Sequence, residues 1–167
     1  RDRIDRVEWD WDYDVSVGFV PSGIEGDEWI QTFPDNGRFF IAARIWDEDG
    51  SNVVTVAAVD VLNVAPTITS TDWPLQVSEG AVWRYQMDVE DPGILDTFEF
   101  EVLSGPIGME VDSTTGLFTW TPLYSHAVEG SVNARLSVTD KDFARDTQDI
   151  TISILAADID DDGLPDG

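Results

Sequence analysis

The stretch that most limits how this chain can fold occurs twice. Ala43-Arg44-Ile45-Trp46-Asp47-Glu48-Asp49-Gly50-Ser51, followed by an alternating run from Val53 to Leu62, returns as Ala134-Arg135-Leu136-Ser137-Val138-Thr139-Asp140-Lys141-Asp142, followed by Gln148 to Leu155. Asp47 aligns with Asp140 and Asp49 with Asp142, each at an offset of 93 (140 − 47 and 142 − 49). That offset is about the length of one small β-sandwich and predicts two tandem domains. In each copy an alternating strand runs into a tight acidic turn and a second alternating strand runs out, the pattern of a hairpin whose turn carries two carboxylates two residues apart. Surface turns favour Asp in any case, so one pair says little about a metal; its recurrence at the same place in both copies strengthens the case for one.

Alternation of period two continues elsewhere. Val7, Trp9, Trp11 and Tyr13 alternate with Glu8, Asp10, Asp12 and Asp14, which places apolar groups on one strand face and a repelling row of carboxylates on the other, eased by solvent and nearby Arg side chains. Asp12 and Asp14 fall where that strand ends and a cation is plausible. Residues 17–30 carry Gly18, Pro21, Gly23 and Gly26 and read as an irregular loop, with one short edge strand at Glu28 to Thr32. Pro34-Asp35-Asn36-Gly37 is a turn, and Asn63-Val64-Ala65-Pro66-Thr67 a short, stiff junction. Beyond it, strands are expected at Thr67 to Ser70, Leu75 to Val77, Ala81 to Val89, Phe98 to Leu103, Leu117 to Thr121, Val132 to Thr139 and Gln148 to Leu155. Trp83, Tyr85, Met87 and Val89 share one face, as do Val132, Ala134, Leu136 and Val138. No segment sustains a helical period. The fold class is all-β, two tandem antiparallel Ig-like sandwiches.

Composition narrows the partners. Thirty-four acidic against nine basic residues give a formal charge of −25, which repels nucleic-acid phosphates and anionic lipid. Such crowding destabilises a compact fold unless salt screens it or cations bind it; for most of these residues a solvated acidic surface suffices. No run of apolar residues approaches a membrane span, and no signal peptide is visible, as in a segment of a longer or processed chain. Cysteine is absent and tryptophan abundant, with seven, which suits a core-stabilised prokaryotic surface protein better than a disulfide-bonded one. With no Cys and one His, His126, neither a Cys–His pair nor a zinc-protease set can be built, and no nucleophile motif accompanies His126. The chain reads as non-enzymatic.

Several motifs are recognisable. Trp9-Asp10-Trp11-Asp12-Tyr13-Asp14, Phe33-Pro34-Asp35-Asn36-Gly37-Arg38-Phe39, Ile45-Trp46-Asp47-Glu48-Asp49-Gly50 and Asn63-Val64-Ala65-Pro66-Thr67 resemble the later part of a PKD domain. The resemblance covers most of residues 1–65 and implies two further strands before Arg1. Ser78-Glu79-Gly80, Asp88-Val89-Glu90-Asp91-Pro92-Gly93, Gly105-Pro106-Ile107-Gly108-Met109, Asp112-Ser113-Thr114-Thr115-Gly116-Leu117-Phe118-Thr119-Trp120-Thr121-Pro122 and Val138-Thr139-Asp140 resemble the dystroglycan-type cadherin and He_PIG-type Ig modules of bacterial surface proteins, across most of residues 66–156. The tail, residues 157–167, contains Asp158, Asp160 and Asp162 in a D-x-D-x-D-G loop similar to thrombospondin type 3 repeats and stops before a final bidentate carboxylate.

Loops of a sandwich alternate between its two ends, which sorts the carboxylates into poles. Asp2, Asp5, Asp47 and Asp49 fall at the outer pole of the first domain; Asp12, Asp14, Asp35, Asn36 and Asn63 fall at the other. Glu90, Asp91, Asp140 and Asp142 share the near pole of the second domain, and Glu79 its far pole beside the tail. Oxygen-only sets suit Ca2+, whereas zinc would want His or Cys. The resemblances imply an extracellular structural or adhesion module of a larger surface or filament-forming protein, its string of domains stiffened by calcium, with other domains of that protein as partners. An open first domain is completed by an upstream part of the same protein or by strand donation from another chain, which would self-assemble. The alternative is a carbohydrate-binding accessory module of a secreted hydrolase with Trp29, Trp73 and Trp120 as its platform; a protein or glycan ligand is then expected.

Overall fold

A computed structural model describes residues 3–156, and the chain divides between Asn63 and Val64 into two compact units. The first holds β1 (Ile4–Asp10), β2 (Gly37–Asp47) and β3 (Asn52–Val61), an antiparallel sheet in that spatial order. Trp9 lies opposite Ala43 and Ala43 opposite Thr55, so Val7, Trp9, Ile41, Ala43 and Ile45 share a face with Val53 and Ala57. Glu8, Arg44, Val54 and Val56 belong to the other. Among the described residues this is the unit's one sheet, half of the sandwich that the alternation predicts.

The two edges of that sheet differ. The Ser22 and Gly26 amides donate to the Trp9 and Val7 carbonyls, and the Trp9 amide donates to Ile24, so residues 22–26 run along the outer edge of β1. The Trp9 indole donates to the Gly26 carbonyl at 2.9 Å, and the Trp29 ring lies 6.0 Å from that of Trp9. The edge strand expected at Glu28 to Thr32 is therefore absent: pairing on β1 is taken up by residues 22–26, and the chain has passed the ladder before Glu28. The carboxylate row also differs from expectation. Asp10 is 1% exposed rather than solvated, with Oδ2 accepting the Val20 amide at 2.7 Å.

The second unit contains β4 (Thr67–Ile68), β5 (Gln76–Ser78), β6 (Trp83–Gln86), β7 (Val89–Glu90), β8 (Phe98–Ser104), β9 (Glu110–Val111), β10 (Leu117–Trp120), α1 (Tyr124–Glu129), β11 (Ser131–Asp140) and β12 (Arg145–Leu155). One sheet has the order β5-β12-β11-β8; facing it are β6-β10-β9 and the short pair β4-β7. Neighbours pair antiparallel except β5, which runs parallel to β12 with Gln76, Val77 and Ser78 opposite Ser153, Ile154 and Leu155. This is an Ig-like β-sandwich. The core is made by the inward faces that the alternation marks: Trp83, Tyr85, Met87, Phe118 and Trp120 from one layer, and Val132, Ala134, Leu136, Val138, Ile150, Ile152 and Ile154 from the other.

Three local departures have local causes. The run from Ala81 to Val89 breaks into β6 and β7 because the Met87 amide turns to the Gly116 carbonyl and the Asp88 amide to Ser70 Oγ, so the strand changes partner from β10 to β4. The segment around His126 is a helix although no helical period marks it, because six residues are too short to show one; Gly130 closes it in the left-handed region at φ 77°. Gly116 ends the turn begun by Asp112 at φ 72°, and a Cβ there would meet the Phe100 ring at 2.8 Å, so glycine is required both by conformation and by space.

Candidate functional site

The two acidic hairpins fold identically. Asp47 Oδ1 accepts the amides of Asp49 at 3.0 Å and Ser51 at 2.8 Å; Asp140 Oδ1 accepts those of Asp142 at 2.9 Å and Ala144 at 2.8 Å. In each turn the amide three residues on donates to the first Asp carbonyl, and the first Asp amide donates to the carbonyl four residues on. A carboxylate that accepts two backbone amides fixes its own turn. The repeat thus encodes a turn, with the first carboxylate of each pair committed through one oxygen to the backbone.

Asp14 behaves likewise. Its Oδ1 accepts the Ser16 hydroxyl and the Ser16 amide, both at 2.7 Å, and these bonds hold its carboxyl below the usual carboxylate range. Asp12 is exposed beside it. Asp112 Oδ1 accepts the amides of Thr115 and Thr114, which lower its pKa in the same way. Glu8 is held low by its hydrogen bonds to the guanidinium of Arg44 and the indole of Trp46, and the Arg44 guanidinium lies 4.4 Å from the centre of the Phe19 ring.

A group of carboxylates of the second unit gathers at one end. Glu90 lies opposite Thr67, and Asp140 opposite Phe98, which places the β7–β8 loop beside the β11–β12 turn. A depression there is lined by Glu90, Asp91, Asp96 and Phe98. Asp91 Oδ1 accepts the Gly93 amide at 2.7 Å, whereas its Oδ2, shut off from solvent, has no hydrogen-bond partner among the described residues. Asp96, whose side chain is wholly buried, meets Lys141 Nζ at 3.2 Å, and Lys141 also lies 3.8 Å from Asp142. Oxygens of Asp96 and Asp142 come within 4.8 Å of each other. Asp140 is buried, and Asp146 Oδ2 accepts the Ile68 amide at 2.9 Å, which fastens β4 to β12 at this end.

Four of the residues singled out from the sequence, Glu90, Asp91, Asp140 and Asp142, thus share one end of one unit. Asp96 was missed, although it stands in the same loop as Asp91, five residues on. In the first unit Asp47 and Asp49 lie in the β2–β3 turn, while Asp12 and Asp14 follow the far end of β1. Among the described residues, no three acidic or His side chains within either unit bring ligand atoms together at 4.8 Å or less. Asp158, Asp160 and Asp162 lie outside the described residues.

The aromatic platform expected from Trp29, Trp73 and Trp120 does not survive the structure. Trp120 is 2% exposed in the core, its indole donating to the Ile107 carbonyl, and Trp73 packs on that core edge-on to Tyr85. His126 belongs to α1, where Nδ1 accepts the Leu123 amide at 2.9 Å and the ring abuts Trp120. No helix among the described residues is long and apolar enough to cross a membrane.

An antiparallel sandwich whose first-layer strand β5 crosses over to pair parallel with the last strand places the second unit among immunoglobulin-like folds. Residues 65–155, more than half of the chain, match the model of the He_PIG family, described as a Putative Ig domain, and the chain belongs to that family. Among solved structures it is similar to the protocadherin GammaB4 extracellular domain, at 14% identity and a TM-score of 0.46, over 72% of this chain and 22% of that one. It is also similar to the human desmocollin-1 ectodomain, at 18% identity and a TM-score of 0.44, over 70% of this chain and 26% of that one. The chain spans about a quarter of those structures or less. No curated protein matches it.

Proposed function

We propose that the chain is a non-enzymatic structural or adhesion module of a larger extracellular surface or filament-forming protein, and that calcium binds the acidic end of its He_PIG unit. The observation that carries this reading is the buried Asp91 Oδ2, an acceptor without a hydrogen-bond partner among the described residues, in a depression it shares with Glu90 and Asp96. A buried, unsatisfied carboxylate oxygen is costly, and a hard divalent cation is its natural complement. Every donor in the set is oxygen, and Lys141 is the sole cation named among them, so the chemistry fits Ca2+. Glu90, Asp91 and Asp96, which line one depression, would have to draw in on the ion, since no three described carboxylates of the unit lie within 4.8 Å of one another without it. Bound there, the ion would neutralise the crowding and tie the β7–β8 loop to the β11–β12 turn. The PKD resemblance of residues 1–65 and the calcium-loop character of the tail belong to the same reading: a string of domains whose partners are the neighbouring domains of one surface protein.

Thermal unfolding with and without millimolar calcium, with magnesium at equal ionic strength as control, tests the metal. Ligand at about one hundred times its Kd stabilises the native state by about 2.7 kcal/mol. For a chain of this size that is a rise of about 5–10 °C. Asp91→Asn should abolish most of the rise. An unchanged melting temperature would reduce the acidic end to surface charge.

A further inference from the structure

On the reading that calcium binds the acidic end of the second unit, we propose that Lys141 is a tethered competitor of the ion: its ammonium is the built-in counterion of Asp96, calcium displaces it, and the residue thereby sets the affinity of the site. Lys141 Nζ lies 3.2 Å from Asp96 Oδ1, 3.8 Å from Asp142 Oδ2 and 3.4 Å from the Leu95 carbonyl oxygen, so it reaches from the β11–β12 turn to the β7–β8 loop. The Asp96 side chain is wholly buried, where a carboxylate without a cation is costly, whereas the Lys141 side chain is 36% exposed. Asp96 cannot turn to water. The ammonium can, on its flexible four-carbon stem.

The two hairpins separate this charge from the geometry of the turn. Asp140-Lys141-Asp142 and Asp47-Glu48-Asp49 close with the same backbone bonds, yet the middle residue is a cation in one and an anion in the other. The turn therefore does not require lysine. Nine basic residues stand against thirty-four acidic ones in the chain, and this one is placed between two aspartates and against a buried third. The depression that Asp96 lines also holds Asp91, whose buried Oδ2 has no hydrogen-bond partner among the described residues, so a divalent ion is drawn to both. Calcium coordinates carboxylate oxygens at about 2.3–2.6 Å, so an ion on Asp96 Oδ1 and an ammonium 3.2 Å from the same atom repel across less than about 6 Å. The exposed cation leaves.

Titration calorimetry of the whole chain with CaCl2 at about 0.15 M NaCl, after EDTA treatment and exchange into metal-free buffer, reads the affinity; Asp91→Asn in parallel identifies the event that belongs to this end. Thermal unfolding of the metal-free proteins reads the counterion. Lys141→Met, which keeps the apolar stem, should tighten the Asp91-dependent event about tenfold while lowering the melting temperature without calcium. Lys141→Glu, the residue type of the first hairpin, should move both readouts further, and Lys141→Arg, which keeps the charge, should stay close to the parent in both. A lysine that merely props the fold would weaken both together. An Asp91-dependent event that appears only in the Met and Glu variants also supports competition. If the parent binds calcium and Lys141→Met binds it no tighter, or if the metal-free melting temperature does not fall, the competitor is overturned and the calcium reading stands. No Asp91-dependent heat in the parent or in any variant overturns both.

Discussion

Asp47 and Asp140 close their turns with the same hydrogen bonds, yet the residue that takes the left-handed conformation differs: Gly50 at φ 83° in one, Phe143 at φ 70° in the other. A side chain there costs about 1 kcal/mol that glycine avoids. Phe143 is 88% exposed, so it recovers little by packing. Phe143→Gly should therefore raise stability by about 1 kcal/mol in urea unfolding, and a neutral or destabilising result would show that the exposed ring is held by something other than its own backbone. The recurrence of the turn was legible because it lies in one-dimensional spacing. What its carboxylates do was not, since the same Asp-x-Asp pattern serves a ligand shell and a self-capped turn, and only the distances separate them. Trp120 shows a related limit: it alternates with Thr119 and Thr121 and lies inward with Phe118, but the bond of its indole to the Ile107 carbonyl, thirteen residues away, left no mark in the spacing.

Among elements, those with alternation on a single buried face were the readable ones. β6, β11 and β12 present the inward residues that period two requires. Segments set by backbone bonds to distant residues of the same chain were not readable, as with residues 22–26 along β1, which contain two glycines and little alternation. Carboxylates that tie elements together also set the response to acid. Glu8 joins β1 to β2, Asp14 anchors the turn after β1, and Asp112 the turn before β10, and all three are held below their ordinary values. A depressed folded value means that the stabilising contribution is complete above the unfolded value, near pH 4, and is lost as pH falls through the folded one. Protonation of the other carboxylates acts in the opposite direction by relieving repulsion. The comparison that isolates the effect is Asp112→Ala against the parent: the variant should lose stability at neutral pH, and the difference between the two should shrink as pH falls below the ordinary carboxylate range. A difference that stayed constant would exclude this linkage.

For the molecule as a whole, the all-β class and the sandwich of the second unit followed from strand spacing, and the net charge of −25 followed from composition alone. The grouping of Glu90, Asp91, Asp140 and Asp142 followed from a topological rule, that loops alternate between ends, which needs no coordinates. The closed edge of β1 needed them.

The parallel junction of β5 with β12 has a mechanical consequence. Gln76, Val77 and Ser78 follow β4 in the early part of the second unit, while Ser153, Ile154 and Leu155 lead out of its last strand. Tension applied at the two ends of that unit would load those three rungs in shear, all together, where a hairpin would unzip one rung at a time. Optical-tweezer pulling should show an abrupt, high-force rupture that Val77→Pro lowers by deforming the short strand. A module strung in a row and tugged by its neighbours would then yield last at the seam where an early thread and its last one lie side by side.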